Sequence, residues 1–484
     1  MECIIADVQT NREERFQVYC TGNRIHNSSA DFPNMLLLPN NLVDFVNNGT
    51  AEEMTSAGGK AYCFHGDLYY DRDEYTCKCC ECRMQIHNTY HVQLRHICIG
   101  DHVSFVLLDK HQFICPKCKQ TEMQQIPFQA EHHRITVELL AYTENLLSLG
   151  YTNKEVFELT GLHQGVVKNI DKARLQRLYT EDGKTFKKPE QQALHLAIDE
   201  FKLHDGYKFA THIIDLDTGH ILWIQEGKKK QVVYDFINFV GADWMNGVEA
   251  VACDMNSDFQ EAFEECCPDV QIVYDHFHII KNFNEKVVSE VRKDEQRRLL
   301  EEGDKQGASA LKGSKYILTS KRSTLQKKDQ KASEGKVIQR RNDLFGVREI
   351  KQSGGNEARY DELLKQNKLL FTADLVRDML ARAFQRDVDT DMANDLDEII
   401  DTCRATRNTH FQWFARLIEN HYEGIMAHAS LKIATGKIEG INNKIKVIRN
   451  QAYGIPDDEY FFLKVMDASR RPYVRNPKSH KLLH

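Results

Sequence analysis

The chain has 484 residues, of which 41% are hydrophobic and 28% are charged, and its formal net charge is −7. At ~150 residues per domain this length predicts about three domains, and the apolar fraction is that of a globular protein. No apolar run approaches the ~18 residues that cross a bilayer, and the first residues lack a secretion signal pattern. We therefore expect neither a membrane protein nor a secreted one, and we expect the chain in the cytoplasm.

Charge is distributed unevenly along the chain. Between Lys305 and Lys351 thirteen Lys or Arg residues stand against four Asp or Glu, a local balance of +9. The sign of the local charge, rather than the net charge of the chain, decides where a phosphate backbone can bind. A basic run of this kind also fits an ordinary solvated surface, so by itself it does not establish a nucleic-acid partner.

The first chemistry along the chain is carried by cysteines. Eight of the fourteen lie between Cys63 and Cys118. Two CxxC pairs with a strand-rich stretch between them have the spacing of a zinc ribbon, in which four thiolates hold one tetrahedral Zn²⁺. Because the chain shows no export signal, metal binding is favoured over disulfides.

The first cysteine pair is ambiguous, since Cys77 with Cys80 and Cys79 with Cys82 both have CxxC spacing. We favour the later pair because a basic residue, Arg83, follows it, just as a basic residue follows the second pair. The four predicted Zn²⁺ ligands are then Cys79, Cys82, Cys115 and Cys118. A histidine could replace one thiolate, and the candidates between the pairs are His87, His91 and His96.

A helix-turn-helix is predicted next. Thr152 or Asn153 can cap a first helix, and Gly161 stands where a tight turn between two helices needs a residue without a Cβ. The second helix would present Gln164 and Lys168 to a major groove. An ordinary helical hairpin is the alternative.

Three later apolar strands each end in an aspartate, namely Asp199, Asp254 and Asp275. The carboxyl ends of parallel strands meet at the edge where an open sheet presents its active site. Carboxylates on neighbouring strands can share hard divalent cations such as Mg²⁺ or Mn²⁺, which prefer oxygen ligands. The plainer alternative is that each aspartate caps the helix that follows it.

A third carboxylate is offered by Glu439, near the start of a predicted helix. Asn442, Asn443 and Lys446 follow at i+3, i+4 and i+7, and so extend along the same helix face. Two cations ~4 Å apart can activate a water or a sugar hydroxyl and stabilise the leaving oxygen. The predicted chemistry is therefore phosphodiester cleavage and transfer on DNA. The stretch between the last aspartate and this helix is polar and helical, as in an inserted domain.

These motifs resemble the bacterial insertion-sequence transposases of the ISL3 family. The resemblance is carried by IDE at 198–200, ACDM at 252–255, VYDHFH at 273–278 and IEGINNKIK at 438–446. It implies an α/β fold whose catalytic core is an RNase H-like mixed sheet with an α-helical insertion, preceded by the zinc ribbon and the helix-turn-helix. The predicted boundaries are 1–60 for an extension of unknown role, 61–125 for the ribbon, 130–180 for the helix-turn-helix, 190–280 with 432–470 for the core, and 281–431 for the insertion.

The resemblance also implies residue roles. Asp199, Asp254 and Glu439 would be the DDE catalytic acids and Mg²⁺ ligands, with Asp275 as the rival for the second acid. Asp275 and His278 resemble an Asp-x-x-His signature with a supporting role. Further residues with a predicted DNA-binding or supporting role are Asn442, Asn443, Lys446, Arg449 and Trp413.

The implied partner is double-stranded DNA, both the inverted repeats of the element and the target. We expect a homodimer or higher oligomer on DNA, in the bacterial cytoplasm at the nucleoid, with no membrane association. The rival hypothesis is a catalytically inactive DNA-binding regulator derived from a transposase.

Overall fold

The computed structural model of the chain describes residues 42, 44–54, 59–100, 102–255, 257–335, 337–342, 346–351, 354–431, 433, 436–451 and 456–471. The predicted N-terminal extension lies largely outside the described residues. The chain forms two compact units. The first ends at Lys187 and takes in a later segment ending at Lys464, and the second holds the remainder.

The first unit opens with a five-stranded sheet. Its strands run in the order β1-β2-β4-β3, with β5 pairing β4. The long antiparallel pairing of β3 with β4 matches Gln85 to Ile114, so the turn before β3 and the turn after β4 lie at the same end of the hairpin. The strands are β1 (Phe45–Met54), β2 (Lys60–Leu68), β3 (Gln85–Ile99), β4 (His102–Ile114) and β5 (Thr121–Met123).

Three helices follow, α1 (Val137–Leu149), α2 (Asn153–Thr160) and α3 (Gln164–Tyr179). Thr152 caps α2 and forms a capping box with Glu155. Gly161 ends α2 with φ 66°, in the left-handed region that glycine tolerates. The predicted helix, turn and helix are therefore confirmed as secondary structure. They pack around a buried apolar cluster that includes Leu139, Val156, Val167 and Ile170.

The start of the last described helix, α18 (Asp458–Arg470), also belongs to this unit. Tyr460 and Leu463 pack against Leu175 of α3. The fully buried Asp171 of α3 accepts hydrogen bonds from Lys464 at 2.8 Å and from the Tyr460 hydroxyl at 2.7 Å. This packing differs from the predicted boundaries, which gave the whole of 432–470 to the core.

The second unit is built on a mixed sheet in the order β10-β9-β6-β7-β8. β6, β7 and β8 are antiparallel neighbours, whereas β6, β9 and β10 are parallel. β7 and β8 form a hairpin whose turn contains Asp217, Thr218 and Gly219. The strands are β6 (His195–Lys202), β7 (Phe209–Asp215), β8 (Ile221–Glu226), β9 (Ala250–Cys253) and β10 (Gln271–Tyr274).

Helices cover this sheet and continue into the insertion. The first three are α4 (Lys230–Val240), α5 (Ala242–Met245) and α6 (Ser257–Cys266). After β10 come α7 (His276–Asn282), a π-helical turn (Phe283–Val288), α8 (Ser289–Glu301), α9 (Lys305–Leu311), α10 (Lys315–Leu318), α11 (Arg322–Ser333), α12 (Asn356–Gln366), α13 (Lys368–Ala383), α14 (Asp389–Ala405), α15 (Thr409–Asn420), α16 (Tyr422–Leu431) and α17 (Gly436–Gln451). One buried apolar cluster runs from the sheet into these helices.

One part of the insertion is not helical. Residues 337–342 (β11) and 346–351 (β12) form an antiparallel two-stranded ribbon, where the sequence pattern predicts polar helix. Both strands contain Val and Ile, whose branched side chains favour strands over helices.

No helix in the described part of the chain has the length and apolarity that a bilayer crossing requires.

Candidate functional site

The three predicted aspartates lie in one row on neighbouring strands of the mixed sheet: Asp254 and Asp275 follow β9 and β10 directly, and Asp199 lies inside β6, three residues before its end at Lys202. In the parallel pairing of β6 with β9, Ala197 is the partner of Ala252. Two residues further along each strand the same register puts Asp199 opposite Asp254. In the pairing of β9 with β10, Cys253 is the partner of Tyr274, so Asp275 is next to Asp254. The register therefore brings the three aspartates side by side, but the predicted strand end at Asp199 is wrong, because β6 stays paired with β7 as far as Lys202.

Asp199 is held by two donors. Its Oδ2 accepts a hydrogen bond from Asn442 Nδ2 of α17 at 2.6 Å, and its Oδ1 accepts one from the backbone N–H of Glu200 at 2.8 Å. Burial raises the pKa of the Asp199 carboxyl; the two hydrogen bonds oppose that shift, and the charge of Asp254 adds to it. A bound cation would relieve this electrostatic cost.

Asp254 and Asp275 differ in how their carboxylates are used. Asp275 is buried, caps α7 by accepting from the Phe277 N–H at 3.0 Å, and faces His278 Nδ1 at 3.1 Å. Asp254 has a side chain that is 40% exposed, and its Oδ2 is 3.8 Å from His278 Nε2. Because Asp275 is engaged in capping, Asp254 has the carboxylate that is more open to a ligand.

His278 thus links the two aspartates. The hydrogen bond to Asp275 raises the pKa of the imidazole above its usual value, burial opposes the shift, and the negative charges of Asp254 and Asp199 add to it. The pair fits the supporting role that the resemblance implies for Asp275 and His278.

Glu439 reaches the site from α17. A cleft of about 490 Å³ is lined by both Asp199 and Glu439, and a small adjoining cavity is lined by Asp199 and Asp254. The cleft therefore brings the first and third predicted acids to one surface. The other predicted residues that line it are Asp275, His278, Asn442, Asn443, Lys446 and Arg449.

The carboxylates of the predicted acids lie farther apart than the ligands of one bound metal ion do. Within the described ranges, the one set of three or more potential ligands whose atoms all lie within 4.8 Å of one another is made of cysteines. Unlike neutral thiols, ionised carboxylates repel one another, so close approach requires a cation between them.

The cysteine set consists of Cys77, Cys80, Cys115 and Cys118. The Sγ atoms of Cys77 and Cys118 are 3.3 Å apart, and those of Cys80 and Cys115 are 3.8 Å apart. The backbone N–H of Cys118 lowers the pKa of the Cys115 thiol, whereas hydrogen bonds to the neighbouring sulfurs raise the pKa of Cys80, so the four thiols share their protons. Four converging sulfurs are the donor set of a structural Zn²⁺ site.

The structure therefore brings Cys77 and Cys80, and not the favoured Cys79 and Cys82, together with the second pair. The two pairs lie in two turns of the same backbone conformation. In the first, the Glu81 N–H donates to the Cys77 carbonyl, and in the second the Lys119 N–H donates to the Cys115 carbonyl. Glu81 and Lys119 also have positive φ, 53° and 64°. The residue that matches Lys119 is thus Glu81 and not Arg83, because backbone conformation and not side-chain charge defines the turn.

Cys79 is exposed, and Cys82 donates through its Sγ to the Cys80 carbonyl at 3.3 Å. The three candidate histidines, His87, His91 and His96, also lie outside the cluster. His96, for example, is buried against Thr136, with Nδ1 2.9 Å from the hydroxyl oxygen.

The two predicted DNA contacts of α3 have different surroundings. Gln164 is exposed. Lys168 instead forms an ion pair with Asp457 at 3.1 Å and lies over the Tyr460 ring, 5.6 Å from its centroid. Asp457 also pairs with Lys172 at 3.2 Å, so the start of α18 neutralises this side of α3.

Two further predicted residues have packing contacts. The guanidinium of Arg449 donates to the carbonyls of Lys202 and Leu203, which ties α17 to the end of β6. Trp413 on α15 is partly buried against the apolar cluster of the second unit. By contrast, Asn443 and Lys446 are exposed along the cleft.

The cleft also contains residues that sequence reasoning missed. Lys281 and Glu200 line it. Lys281 is exposed and follows His278 by three residues on α7, so helical spacing from His278 was the available signal. Glu200 follows Asp199 directly, and the strand pattern alone gave no reason to expect it at the cleft.

Comparison with known proteins agrees with this geometry. A family model described as Transposase, of the ISL3 type of DDE transposases, matches residues 196–465. The transposase for insertion sequence element IS1001 of Bordetella parapertussis is 28% identical over 400 residues, which are 81% of this chain and 88% of that protein. The transposase for insertion sequence element IS1557 of Mycobacterium tuberculosis is 21% identical over 305 residues, 59% of this chain and 62% of that protein.

The matched region covers more than half of the chain and contains the aspartate row, the insertion and Glu439. The protein is a transposase. It belongs to the ISL3 family, and the predicted family is therefore confirmed. DNA is the partner that this membership implies.

Proposed function

We propose that this chain is an active transposase that binds the terminal inverted repeats of its own insertion sequence and then cleaves and transfers DNA strands in a metal-dependent reaction. The observation that carries the proposal is the row of Asp199, Asp254 and Asp275 on neighbouring strands, with Glu439 lining the same cleft as Asp199 and Asp275.

The strand order supports an RNase H-like core. Three antiparallel strands followed by two parallel ones, in the order β8-β7-β6-β9-β10, agree with the fold that the resemblance implies. The helical insertion separates β10 from α17, so Glu439 returns to the sheet only through tertiary packing of α17 against β6.

Asp199, Asp254 and Glu439 would hold Mg²⁺ or Mn²⁺. Their oxygen donors fit hard cations, and the raised pKa of Asp199 supports a site that is short of positive charge. Two such ions would activate the attacking water or 3′-hydroxyl and stabilise the leaving oxygen. The chain's own part is to position these carboxylates, with Asp275 and His278 orienting Asp254.

The rim of the cleft fits a phosphate backbone. Lys281 and Lys446 are exposed on it, on α7 and α17 respectively. Ammonium groups bind phosphate oxygens with little dependence on sequence, so these lysines would hold the strand next to the carboxylates.

Repeat recognition would fall to the first unit. Cys77, Cys80, Cys115 and Cys118 would hold Zn²⁺ as a zinc ribbon, and α2 with α3 would act as a helix-turn-helix. Gln164 is exposed at the start of α3, where a recognition helix contacts bases. Lys168 would support this contact only after its ion pair with Asp457 opens.

We further propose that the protein works as a homodimer or higher oligomer on DNA, because an element has two ends to be cut, and that it acts in the cytoplasm at the bacterial nucleoid. The alternative, an inactive DNA-binding regulator, is less favoured because all three acids are present, with Asp199 and Glu439 at the cleft and Asp254 at the adjoining cavity.

The test uses a duplex carrying one end of the element, taken from the DNA that flanks the gene. Wild-type protein with Mg²⁺ should nick this duplex and join it to a target plasmid. Glu439→Gln should bind the duplex equally well and reduce cleavage by roughly 10³-fold or more, since losing even one preorganised group that stabilises a transition state costs about 10²–10³-fold.

Each other outcome has a clear meaning. Binding without Mg²⁺-dependent cleavage by wild-type protein would favour the regulator, and cleavage without joined products would indicate a nuclease. Strand transfer retained by Glu439→Gln would contradict the role of Glu439.

A further inference from the structure

Asn442 joins α17 to β6, the strand that carries the first acid. Its Nδ2 donates to Asp199 Oδ2 at 2.6 Å. The orientation of the amide is fixed by chemistry, because an ionised carboxylate only accepts and the amide nitrogen only donates. This is the contact that connects the functional group of Asp199 with the helix of Glu439.

The other end of the same amide has no partner. Asn442 Oδ1 is buried and accepts no hydrogen bond from the described residues. Buried acceptors in native proteins nearly always receive a hydrogen, from protein or from water. Because Asn442 lines the cleft, the missing donor can be supplied by a water molecule that enters with the cation and the DNA.

The position of Asn442 on its helix adds to the argument. It follows Glu439 by three residues, so both lie on one face of α17. The bond to Asp199 therefore sets the first carboxylate and, through α17, the position of the third. Outer partners of this kind fix the orientation of metal-binding side chains.

We propose that Asn442 is a positioning residue that holds Asp199, and with it the separation of Asp199 from Glu439, in the arrangement that accepts a divalent cation. The inference rests on the proposed function, in that it takes Asp199 to be a metal ligand. It assigns to Asn442 a role in cation affinity rather than in DNA contact.

Asn443 is a matched control. It has the same side chain, is adjacent on α17, lines the same cleft and is exposed. If the cleft merely needed a polar residue on this helix, the two asparagines would be equivalent.

The experiment measures Mn²⁺ binding to the full chain, with its cysteine site filled with zinc, from the free Mn²⁺ signal in electron paramagnetic resonance. Asn442→Ala should weaken binding by about 10–100-fold, the usual cost of removing an outer partner of a metal ligand. Asn442→Leu, which has nearly the same shape and no donor, should give the same loss, and Asn443→Ala should bind within about twofold of wild type.

Circular dichroism and thermal melting identify any variant that fails to fold, and the leucine variant keeps the test valid if the alanine variant does not fold. In the cleavage reaction, rising Mg²⁺ should restore Asn442→Ala but not Glu439→Gln. A merely structural role for Asn442 would not produce this rescue.

Two outcomes would overturn the inference separately. Wild-type Mn²⁺ affinity in folded Asn442→Ala, with binding lost in Asp199→Ala, would refute the role of Asn442 and leave the proposed function intact. Mn²⁺ binding unchanged in Asp199→Ala would refute the metal site itself, and the inference with it.

Discussion

Two aspartates in two regions of the molecule have pKa values that are shifted in opposite directions. Asp171, between α3 and α18, is fully buried, and burial alone would raise its pKa. Lys464 and Arg174 outweigh that effect, so the pKa of Asp171 lies below its ordinary value. Asp199, at the sheet edge, has no Lys or Arg ion pair within the described part of the chain, and its pKa is raised.

The sheet edge around Asp199 has other unsatisfied groups. His212, its cross-strand partner on β7, is fully buried, and neither ring nitrogen has a hydrogen-bond partner among the described residues. Burial lowers the pKa of His212 to about 4. Polar groups that serve structure are paired, whereas functional sites keep groups that only a ligand completes. The contrast indicates that the α3–α18 region is complete by itself and that the sheet edge is not.

The cysteine cluster provides the strongest test of the first region. Cys77→Ser should abolish zinc binding and unfold the surrounding sheet, because structural zinc contributes roughly 10–16 kcal/mol to such domains. Zinc content per chain and a thermal melt would measure this. Cys79→Ser is the matched control, since Cys79 is exposed and lies outside the cluster. Zinc lost from the Cys79 variant and kept by the Cys77 variant would reverse the assignment.

Removal of the buried charge at Asp171 should cause the next largest loss of stability. Asp171→Asn leaves Lys464 and Arg174 without their counter-charge, and breaking a buried pair in this way costs about 3 kcal/mol. Urea unfolding at pH 7 would measure the loss.

The pH dependence of the stability of Asp171→Asn tests whether the loss of charge is the cause. Because the pKa of Asp171 is lowered by folding, its contribution is present above the unfolded pKa and is lost as pH falls through the folded pKa. The difference in free energy of unfolding between wild type and Asp171→Asn should therefore become smaller at acidic pH. A difference in free energy of unfolding that does not change with pH would show that the charge of Asp171 is not the cause of the lost stability.

The smallest expected effect has the opposite sign. Asp199→Asn should stabilise the protein by about 1 kcal/mol at pH 7, a rise of roughly 2–4 °C in Tm, because it removes a charge that burial disfavours. The Asn442 amide can turn so that its unpaired Oδ1 accepts from the new amide N–H group. The same variant should lose cleavage. Asp269→Asn, at an exposed position, should change stability by no more than about 0.5 kcal/mol. A lower Tm for Asp199→Asn would contradict the contrast between the two aspartates.

The sequence alone determined features that depend on local rules. The strand ends before Asp254 and Asp275, a helix cap at Thr152 or Asn153 and the turn at Gly161 were predictable because period, capping and turn chemistry act over a few residues. The continuation of β6 past Asp199 to Lys202 was not. The family was predictable for the same reason, since its motifs are short and contiguous.

Tertiary structure decided what local rules leave open. Two cysteine pairs have the same spacing, and only the shared backbone turn with Glu81 and Lys119 at positive φ selects Cys77 and Cys80. The pairing of Lys168 with Asp457 and of Asn442 with Asp199 joins residues 289 and 243 positions apart. Contacts so distant in sequence arise from the packing of whole elements, and no local pattern encodes them.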